Sequence, residues 1–290
     1  MFGFQLYSFN VRGIRQYAKR KMIFRHLHHK DSSGIFLLQE THSTTDVENL
    51  WKNEWGGKIF YNHGESDSKG VAILISPGLD VNIVPEFKDD DGRILGVKIL
   101  NDHEEFLVCN VYAPTRNKPG DQLQFLYNLQ TFIDQGEYMN SIFGGDWNTI
   151  FDPTLDKQGG DMCNCTNRYT TDLLAFIETY ELTDVIRVIH PAKKIFTRVQ
   201  RNPTVMSRID HWLISSHLCN IVTEAHVHPG VKSDHSIIML SFTKREIKRG
   251  SGFWKFNCKL LRDKTFVELI NKELSELKAD TKQFKDKGSR

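Results

Sequence analysis

The segment FGGDWNTIFD, at Phe143–Asp152, places an acid and an amide at the end of a short apolar run. Side chains alternate in direction along an extended chain, so Asp146 and Asn148 are predicted to share one face, with Trp147 on the other. A carboxylate can hold a water molecule or a metal ion, and an amide can donate a hydrogen bond to a phosphate oxygen. Taken alone, the segment fits a polar turn after a strand better, because Gly, Asn and Asp dominate turns.

Similar polar residues end other apolar runs. The set comprises Asn10 in YSFNVRG, Gln39 and Glu40 in IFLLQETHS, Asn110 and Tyr112 in FLVCNVYAP, Asp210 in SRIDHWLI, and Asp234 and His235 in GVKSDHSII. Singly, each fits a turn, a cap or a core position, although an acid such as Asp210 is costly to bury without a partner. Gathered at one end of a rigid pair of sheets, they provide the groups for metal-assisted cleavage of a phosphodiester. A hard cation takes oxygen ligands such as Glu40, and a histidine paired with an acid can contact the phosphate.

The elements that must position these residues are short strands with a few helices among them. Apolar runs rich in Ile, Val, Phe and Leu, such as FQLYSF, VAILIS and RILGVKI, predict strands. Helical spacing of apolar residues predicts helices at Tyr17–His29, Asp46–Trp55, Asp121–Gln135 and Tyr169–Glu181. Hairpin-like strand pairs mixed with separate helices favour two packed sheets flanked by helices over a simple parallel α/β fold.

The pattern changes near Ser241, where TKREIKRGSG is polar, basic and contains Gly and Ser, which indicates a linker. We therefore predict one domain at 1–243, followed by a basic linker and a helical segment at 244–290. Residues 241–290 hold 14 Lys and Arg against 7 Asp and Glu, so this tail carries +7 and the preceding 240 residues carry −5. A mildly acidic domain is not typical of a histone-like DNA-binding protein. It suits an enzyme that concentrates carboxylates around a cation.

The composition, with 39% hydrophobic and 26% charged residues, is that of an ordinary globular protein. No run approaches the roughly 18 uninterrupted apolar residues of a membrane span, and the N-terminus lacks the pattern of a signal peptide. No membrane partner is therefore expected. The five cysteines include no CxxC pair, so Cys163 and Cys165 are interpreted as loop thiols in a reducing compartment.

Six short blocks occur in a characteristic order: SxNVRG, LQET, NVYAP, GDWN, SRID and SDH. From Phe4 to about Phe242, the chain resembles the exonuclease–endonuclease–phosphatase superfamily, which includes apurinic endonucleases, DNase I-like nucleases and inositol phosphatases. NTIFDPTLDKQGG, LTDVIRVIHP and SRIDHWLIS are similar to the endonuclease domain that begins the polymerase protein of LINE-type (non-LTR) retrotransposons. FWKFNCKLLRDKTFVELI is similar to the segment that links that domain to the reverse transcriptase, and no polymerase motif is present.

The resemblance implies an α/β fold, a four-layer αββα sandwich in which two packed mixed sheets are flanked by helices. It implies a Mg²⁺-dependent endonuclease, with Mn²⁺ as a substitute, that nicks one strand of double-stranded DNA. The nick would carry a 3′-hydroxyl that primes reverse transcription. The implied partners are DNA and the reverse transcriptase region of the same polyprotein, and a genomic substrate implies action in the nucleus.

The resemblance also implies a role for each residue of the catalytic set. Glu40 would be the main ligand of the metal, with Asn10 close by and Asp234 as a second metal or water contact. Asp146 would orient or deprotonate the attacking water, while the scissile phosphate would be held by Asn148, Tyr112 and His235. Asp210 would fix the orientation of His235 and favour its charged form.

A hairpin is predicted in FTRVQRNPTVMSRID, between Thr197 and Asp210. The corresponding hairpin of the family leans on DNA and influences the sequence that is cleaved. The predicted DNA contacts are therefore Thr197, Arg198, Arg201 and Arg208, together with Arg116 and Lys118 after the Tyr112 loop. Arg198 departs from the aromatic residue that is frequent in the family at this position.

Two alternatives remain open at the level of sequence. One is another enzyme of the superfamily, an apurinic-site endonuclease or a phosphoinositide phosphatase. The other is a catalytically silent DNA-binding module, although every expected catalytic residue is present.

Overall fold

A computed structural model of the chain describes residues 3–101, 104–160, 167–201, 204–243, 261–262 and 264–287. The chain divides into two compact units, Met1–Arg245 and Glu246–Arg290. The predicted linker and the thiols of Cys163 and Cys165 lie outside the described residues. No helix among the described residues is long and apolar enough to cross a membrane.

The first unit contains two six-stranded sheets. The first sheet is built from β1 (Gly3–Asn10), β2 (Ile35–Gln39), β3 (Lys58–Asn62), β4 (Val71–Ile75), β14 (Val222–His228) and β15 (Ile237–Thr243). Its order is β14–β15–β1–β2–β4–β3, and it is mixed because β1 and β2 run parallel while the other neighbours are antiparallel.

The second sheet is built from β5 (Asn82–Lys88), β6 (Ile94–Asn101), β7 (Glu104–Tyr112), β8 (Ser141–Asp146), β10 (Leu182–Asp184) and β13 (Asp210–Ser215). Its order is β10–β13–β8–β7–β6–β5, with β7 and β8 parallel. A small third sheet joins β9 (Lys157–Gln158), β11 (Arg198–Arg201) and β12 (Thr204–Ser207) in antiparallel pairs. The strands β11 and β12 form the hairpin that the sequence predicted.

Helices connect these strands. They are α1 (Tyr17–Lys30), α2 (Glu48–Trp55), α3 (Pro119–Asp134), α4 (Pro153–Asp156), α5 (Arg168–Thr179), α6 (Val185–Ile189) and, in the second unit, α7 (Lys264–Lys287). In the first unit, Thr45–Val47 and Ser216–Ile221 form 3₁₀ turns. The four helices predicted from sequence are confirmed to within a few residues, except that the predicted start at Asp46 belongs to the first 3₁₀ turn.

Three apolar clusters define the layers of the first unit. The central cluster packs the two sheets against each other, with side chains such as Leu6 from β1 and Val108 from β7. A second cluster packs Phe24 of α1 and Trp51 of α2 on the outer face of the first sheet. A third packs α3 and α5 on the outer face of the second sheet, around residues such as Phe176. The predicted αββα sandwich is therefore confirmed.

A buried pair of amides ties the two sheets together. The Nε2 of Gln39 donates hydrogen bonds to Oδ1 of Asn110 at 2.7 Å and to Oγ of Ser8 at 3.0 Å. The Nδ2 of Asn110 donates to the carbonyl oxygens of Leu38 at 3.0 Å and Ala72 at 2.9 Å. Buried amides that donate to partners in several strands favour one arrangement of the surrounding chain. The network therefore fixes β1, β2 and β4 relative to β7.

The glycine pair in β8 is explained by close packing. A Cβ atom at Gly144 would lie 2.0 Å from Cζ3 of Trp212, and one at Gly145 would lie 1.9 Å from the carbonyl oxygen of Val111. No side chain fits at such distances, so only glycine lets β13 and β7 approach β8. The pair thus places the end of β8, at Asp146, between these two neighbours.

Candidate active site

The predicted polar residues come together at one end of the two sheets. In the strand registers, Asn10 lies beside Gln39, the residue before Glu40, while Asp146 lies between Tyr112 on one neighbour and Asp210 on the other. Parallel neighbours bring their carboxyl ends to the same edge of a sheet, and both parallel pairs, β1–β2 and β7–β8, end here.

Asn10 links a carboxylate of each sheet. Its Nδ2 donates a hydrogen bond of 2.8 Å to Oε1 of Glu40 and one of 2.9 Å to Oδ2 of Asp146. Its Oδ1 accepts a hydrogen bond of 3.1 Å from the backbone of Arg12. Asn10 and Asp146 are buried, and Glu40 is partly exposed. The amide therefore holds two carboxylates close together at the edge of the buried core.

His235 lies between two acids. Its Nδ1 is 3.0 Å from Oδ2 of Asp210, and its Nε2 is 3.9 Å from Oδ2 of Asp146. Burial lowers the pKa of His235, but the charge and hydrogen bond of Asp210 outweigh this effect and raise it to about 9. Burial, together with the charge of Asp210, raises the pKa of Asp146 above its ordinary value. An imidazolium is thus held beside a carboxyl group whose affinity for a proton is raised.

The turn after β8 corrects one expectation. Asn148 does not continue an extended strand beside Asp146, because its backbone is left-handed with φ at 49°. Its backbone N–H donates a hydrogen bond of 3.0 Å to Oδ1 of Asp146, and its Nδ2 donates one of 2.7 Å to the carbonyl oxygen of Ala113. The alternation argument was therefore wrong, since the chain turns around the carboxylate of Asp146 at once.

Tyr112 is held by a cation that the sequence analysis missed. The guanidinium of Arg93 lies 4.9 Å from the centre of the Tyr112 ring, and its Nη1 donates a hydrogen bond of 3.2 Å to the carbonyl oxygen of Tyr112. Burial, followed by the charges of Glu40 and Asp146, raises the pKa of Tyr112, so the phenol remains a proton donor. The only sequence signal for Arg93 was its place after the acidic turn KDDDG.

Asp234 lies between two arginines. Its Oδ1 lies 3.0 Å from Nη1 of Arg12, and its Oδ2 lies 3.0 Å from Nε of Arg198. Burial raises the pKa of Asp234, but His235 and the two arginines outweigh this effect and lower it. Both carboxylate oxygens thus face guanidinium groups, which argues against the expected metal or water contact of Asp234.

The donor chemistry fits a hard divalent cation. Asp146, Asp210 and His235 each offer an atom within 4.8 Å of the others. His235 suits a metal poorly, because the two neighbouring acids keep its ring protonated and a protonated imidazole has no lone pair for a metal. Glu40 and Asp146, joined by Asn10, offer carboxylate oxygens instead, and oxygen is the ligand that Mg²⁺ and Mn²⁺ take.

Two of the predicted DNA contacts are buried. Thr197 is fully buried, and its Oγ1 donates a hydrogen bond of 2.6 Å to Oδ2 of Asp210. Arg208 is 1% exposed, and its Nε lies 2.7 Å from Asp156 while its Nη2 lies 2.7 Å from Asp184. Both predictions of DNA contact are therefore wrong. Thr197 steadies the acid beside His235, and Arg208 anchors the base of the hairpin through two remote acids.

The other predicted DNA contacts lie at the surface. Arg201, Arg116 and Lys118 are exposed, and the side chain of Arg198 is 37% exposed. Arg198 and Arg201 belong to β11, on one side of His235, whereas Arg116 and Lys118 lie between β7 and α3, after Tyr112. Their contact with DNA remains a prediction.

Comparison with known proteins places these features in context. The model of the Endonuclease/Exonuclease/phosphatase family matches residues 7–235. The Transposon TX1 uncharacterized 149 kDa protein of Xenopus laevis is 29% identical over 268 residues, or 91% of this chain and 20% of that protein. The chain thus spans about a fifth of the length of the curated relative that it matches.

Solved structures show the same fold. AP endonuclease LMAP from Leishmania major has a TM-score of 0.67 at 16% identity, covering 83% of this chain and 87% of that chain. The endonuclease domain of TRAS1, a telomere-specific non-LTR retrotransposon, has a TM-score of 0.58 at 15% identity, covering 83% of this chain and 98% of that chain.

Proposed function

Because the chain belongs to the Endonuclease/Exonuclease/phosphatase family of phosphoester hydrolases, we propose that it is a Mg²⁺-dependent endonuclease that nicks one strand of DNA. The observation that carries this proposal is the position of Asp146. On one side it is joined through Asn10 to Glu40, and on the other it faces the imidazolium of His235. Asp146 as a base, His235 as a proton-bearing partner and Glu40 as a ligand for a cation thus lie next to one another.

The proposed roles follow from these contacts. Asp146 accepts the proton of the attacking water, because its raised pKa makes it a better base than an ordinary carboxylate. His235 stays protonated and donates a hydrogen bond to a phosphate oxygen, while Asp210 fixes its orientation. Tyr112 donates a hydrogen bond from its phenolic O–H to the phosphate, and Asn148 donates one from its side-chain amide.

A divalent ion would be held by Glu40, with Asn10 beside it and Asp146 within reach through the shared amide. When bound, such an ion neutralises charge on the phosphate and on the leaving oxygen. The oxygen-rich donor set supports Mg²⁺, with Mn²⁺ as its substitute.

The wider role rests on sequence similarity to the TX1 protein over most of this chain. We propose that the nick leaves a 3′-hydroxyl that primes reverse transcription in the nucleus. The residues after 243 would then lead toward a reverse transcriptase region in a longer chain, which would act on the nicked DNA. The first unit, Met1–Arg245, would be the endonuclease domain.

An apurinic-site endonuclease is the second candidate, and the likeness to AP endonuclease LMAP favours it. The two are separated by incubating matched duplexes, intact or with one abasic site, with Mg²⁺ or EDTA. A general endonuclease cleaves the intact duplex in Mg²⁺ and leaves ends that a polymerase extends. Cleavage confined to the abasic duplex would overturn the retrotransposon proposal in favour of the second candidate.

A further inference from the structure

The helix of the second unit exposes apolar side chains. Among the described residues of that unit, Glu246–Arg290, α7 (Lys264–Lys287) is the one α-helix, and no strand accompanies it. Ile270 and Leu274 of this helix are 40% and 48% exposed. Isolated helices are marginal in water, and most helices in proteins are stabilised by the packing of an apolar face. The apolar face of α7 therefore needs a partner surface.

The spacing of the residues on this face is that of a coiled coil. In the sequence they recur in alternating steps of three and four, which are the heptad positions a and d. The a positions are Val267, Leu274 and Thr281, and the d positions are Ile270, Leu277 and Phe284. A seam with this period is covered by the equivalent seam of another helix, whose side chains insert between those of the first.

The charges beside the seam identify that other helix. Heptad position g is acidic at Glu273 and Asp280, and position e is basic at Lys278 and Lys285. In a parallel pair of helices, each g residue meets the e residue of the partner's next heptad. Glu273 of one copy would thus pair with Lys278 of a second copy. Asp280 would pair with Lys285 in the same way.

The opposite orientation brings like charges together. In an antiparallel pair, g meets g and e meets e, so that acids would oppose acids and lysines would oppose lysines. The same charges have no counterpart within one helix, because residues five apart are not neighbours on a helix surface. We infer that α7 pairs in parallel with α7 of a second copy of this chain. This inference goes beyond the proposed endonuclease function and does not depend on it.

The length and composition of the seam set its strength. It spans three heptads, and Thr281 places a hydroxyl at one of the a positions, where burial is costly. We therefore expect a reversible dimer with a dissociation constant of roughly 1–100 µM. If the chain nicks DNA as proposed, this dimer brings two active sites to one duplex.

The test is sedimentation equilibrium of the 290-residue chain, at concentrations on both sides of the expected dissociation constant. The variant is Ile270→Asp, which places a charge at a d position. The matched control is Leu269→Asp, the same change one residue earlier, at position c outside the seam, where the side chain is 56% exposed. We expect the control to dimerise like the wild type and the variant to dimerise roughly tenfold more weakly or less. Urea unfolding of the first unit should be unchanged in both, because both substitutions lie in the second unit.

A second pair of variants tests the charges and leaves the seam intact. Glu273→Lys/Asp280→Lys makes positions e and g basic, and Lys278→Glu/Lys285→Glu makes both positions acidic. We expect each variant alone to dimerise more weakly than the wild type, because like charges would then face each other. An equimolar mixture of the two should recover dimerisation, since every pair across the seam is again of opposite charge.

The outcomes separate this inference from the proposed function. A wild-type chain that stays monomeric at all concentrations would overturn the inference and leave the apolar face to a different partner. Equal dimerisation by Ile270→Asp and Leu269→Asp, or a mixture of the charge variants that stays monomeric, would also overturn it. Nicking is measured separately: a monomer that nicks DNA contradicts only the pairing of α7, whereas a dimer that does not nick contradicts only the endonuclease proposal.

Discussion

Asn10 at the end of β1 donates a hydrogen bond of 2.9 Å from its Nδ2 to Oδ2 of Asp146 at the end of β8. The two residues belong to different sheets, so the distance between them depends on how the sheets pack. The buried contact between Gln39 and Asn110, from β2 to β7, fixes that packing beneath the site. The catalytic geometry thus follows from the register of the sandwich, and the following predictions test its parts.

Removal of either central group should abolish turnover without unfolding the chain. We expect Asp146→Asn and His235→Gln each to lower the single-turnover nicking rate by roughly 10²–10⁴-fold, the usual contribution of a positioned acid or base. Asp172→Asn, at the surface of α5, is the matched control and should nick like wild type. A nicking rate within a few-fold of wild type would remove the substituted residue from the mechanism.

The pH profile of nicking should report His235. Its pKa of about 9 keeps the ring charged at neutral pH, so the rate should fall only as the pH rises through that value. Asp210→Asn removes the negative charge that raises this pKa, while the effect of burial, which lowers it, remains. The alkaline limb of the single-turnover rate should therefore move to lower pH in that variant. An unmoved alkaline limb would show that Asp210 does not act through His235.

Glu40 and Asp234 should differ in metal binding. We expect Glu40→Gln to weaken the binding of Mn²⁺ by tenfold or more, because it removes a charged oxygen ligand. Asp234→Asn should leave Mn²⁺ affinity within about threefold of wild type, because its carboxylate is occupied by Arg12 and Arg198. Electron paramagnetic resonance of free Mn²⁺ measures both values without DNA. The reverse order of effects would place the metal beside Asp234.

Arg208 should matter for stability far more than Arg198. Arg208→Met would remove the buried guanidinium that joins Asp156 to Asp184 and leave Arg187 as the remaining cation beside Asp156, at a cost of about 3–5 kcal/mol. Arg198→Met removes a partly exposed ion pair, which is worth about 0–1 kcal/mol. Urea denaturation gives the free energy of unfolding of each variant. Equal losses would contradict the assignment of Arg208 to the buried base of the hairpin.

Much of this arrangement could be predicted from the sequence, because the strands carry strong apolar signals and the polar residues stand at their ends. Asn10, Glu40, Tyr112, Asp146 and His235 were found in that way. The turn at Asn148 could not be predicted, since Asp-Trp-Asn fits an extended chain as well as a left-handed turn. Only the packing of Trp147, which is fully buried, decides between them.

Contacts between distant segments were also hidden from the sequence. Arg208 looked like a surface cation of the hairpin, because its partners Asp156 and Asp184 lie in other elements. The same holds for Asp234, whose partners are Arg12 after β1 and Arg198 in β11. Asp234 lies just before β15, and the pairing of β15 with β1 brings it near Arg12. No local pattern of residues specifies that pairing.

The most direct test of the central claim is nicking of a supercoiled plasmid, with Mg²⁺ or with EDTA, by the wild type and by Glu40→Gln. The nick ends are mapped by extension with a DNA polymerase. We expect wild-type nicking in Mg²⁺, none in EDTA, ends that carry an extendable 3′-hydroxyl, and loss of nicking in the variant. Nicking that persists in EDTA or in Glu40→Gln, or no nicking by the wild type in Mg²⁺ or Mn²⁺, would contradict the assignment of a metal-dependent endonuclease.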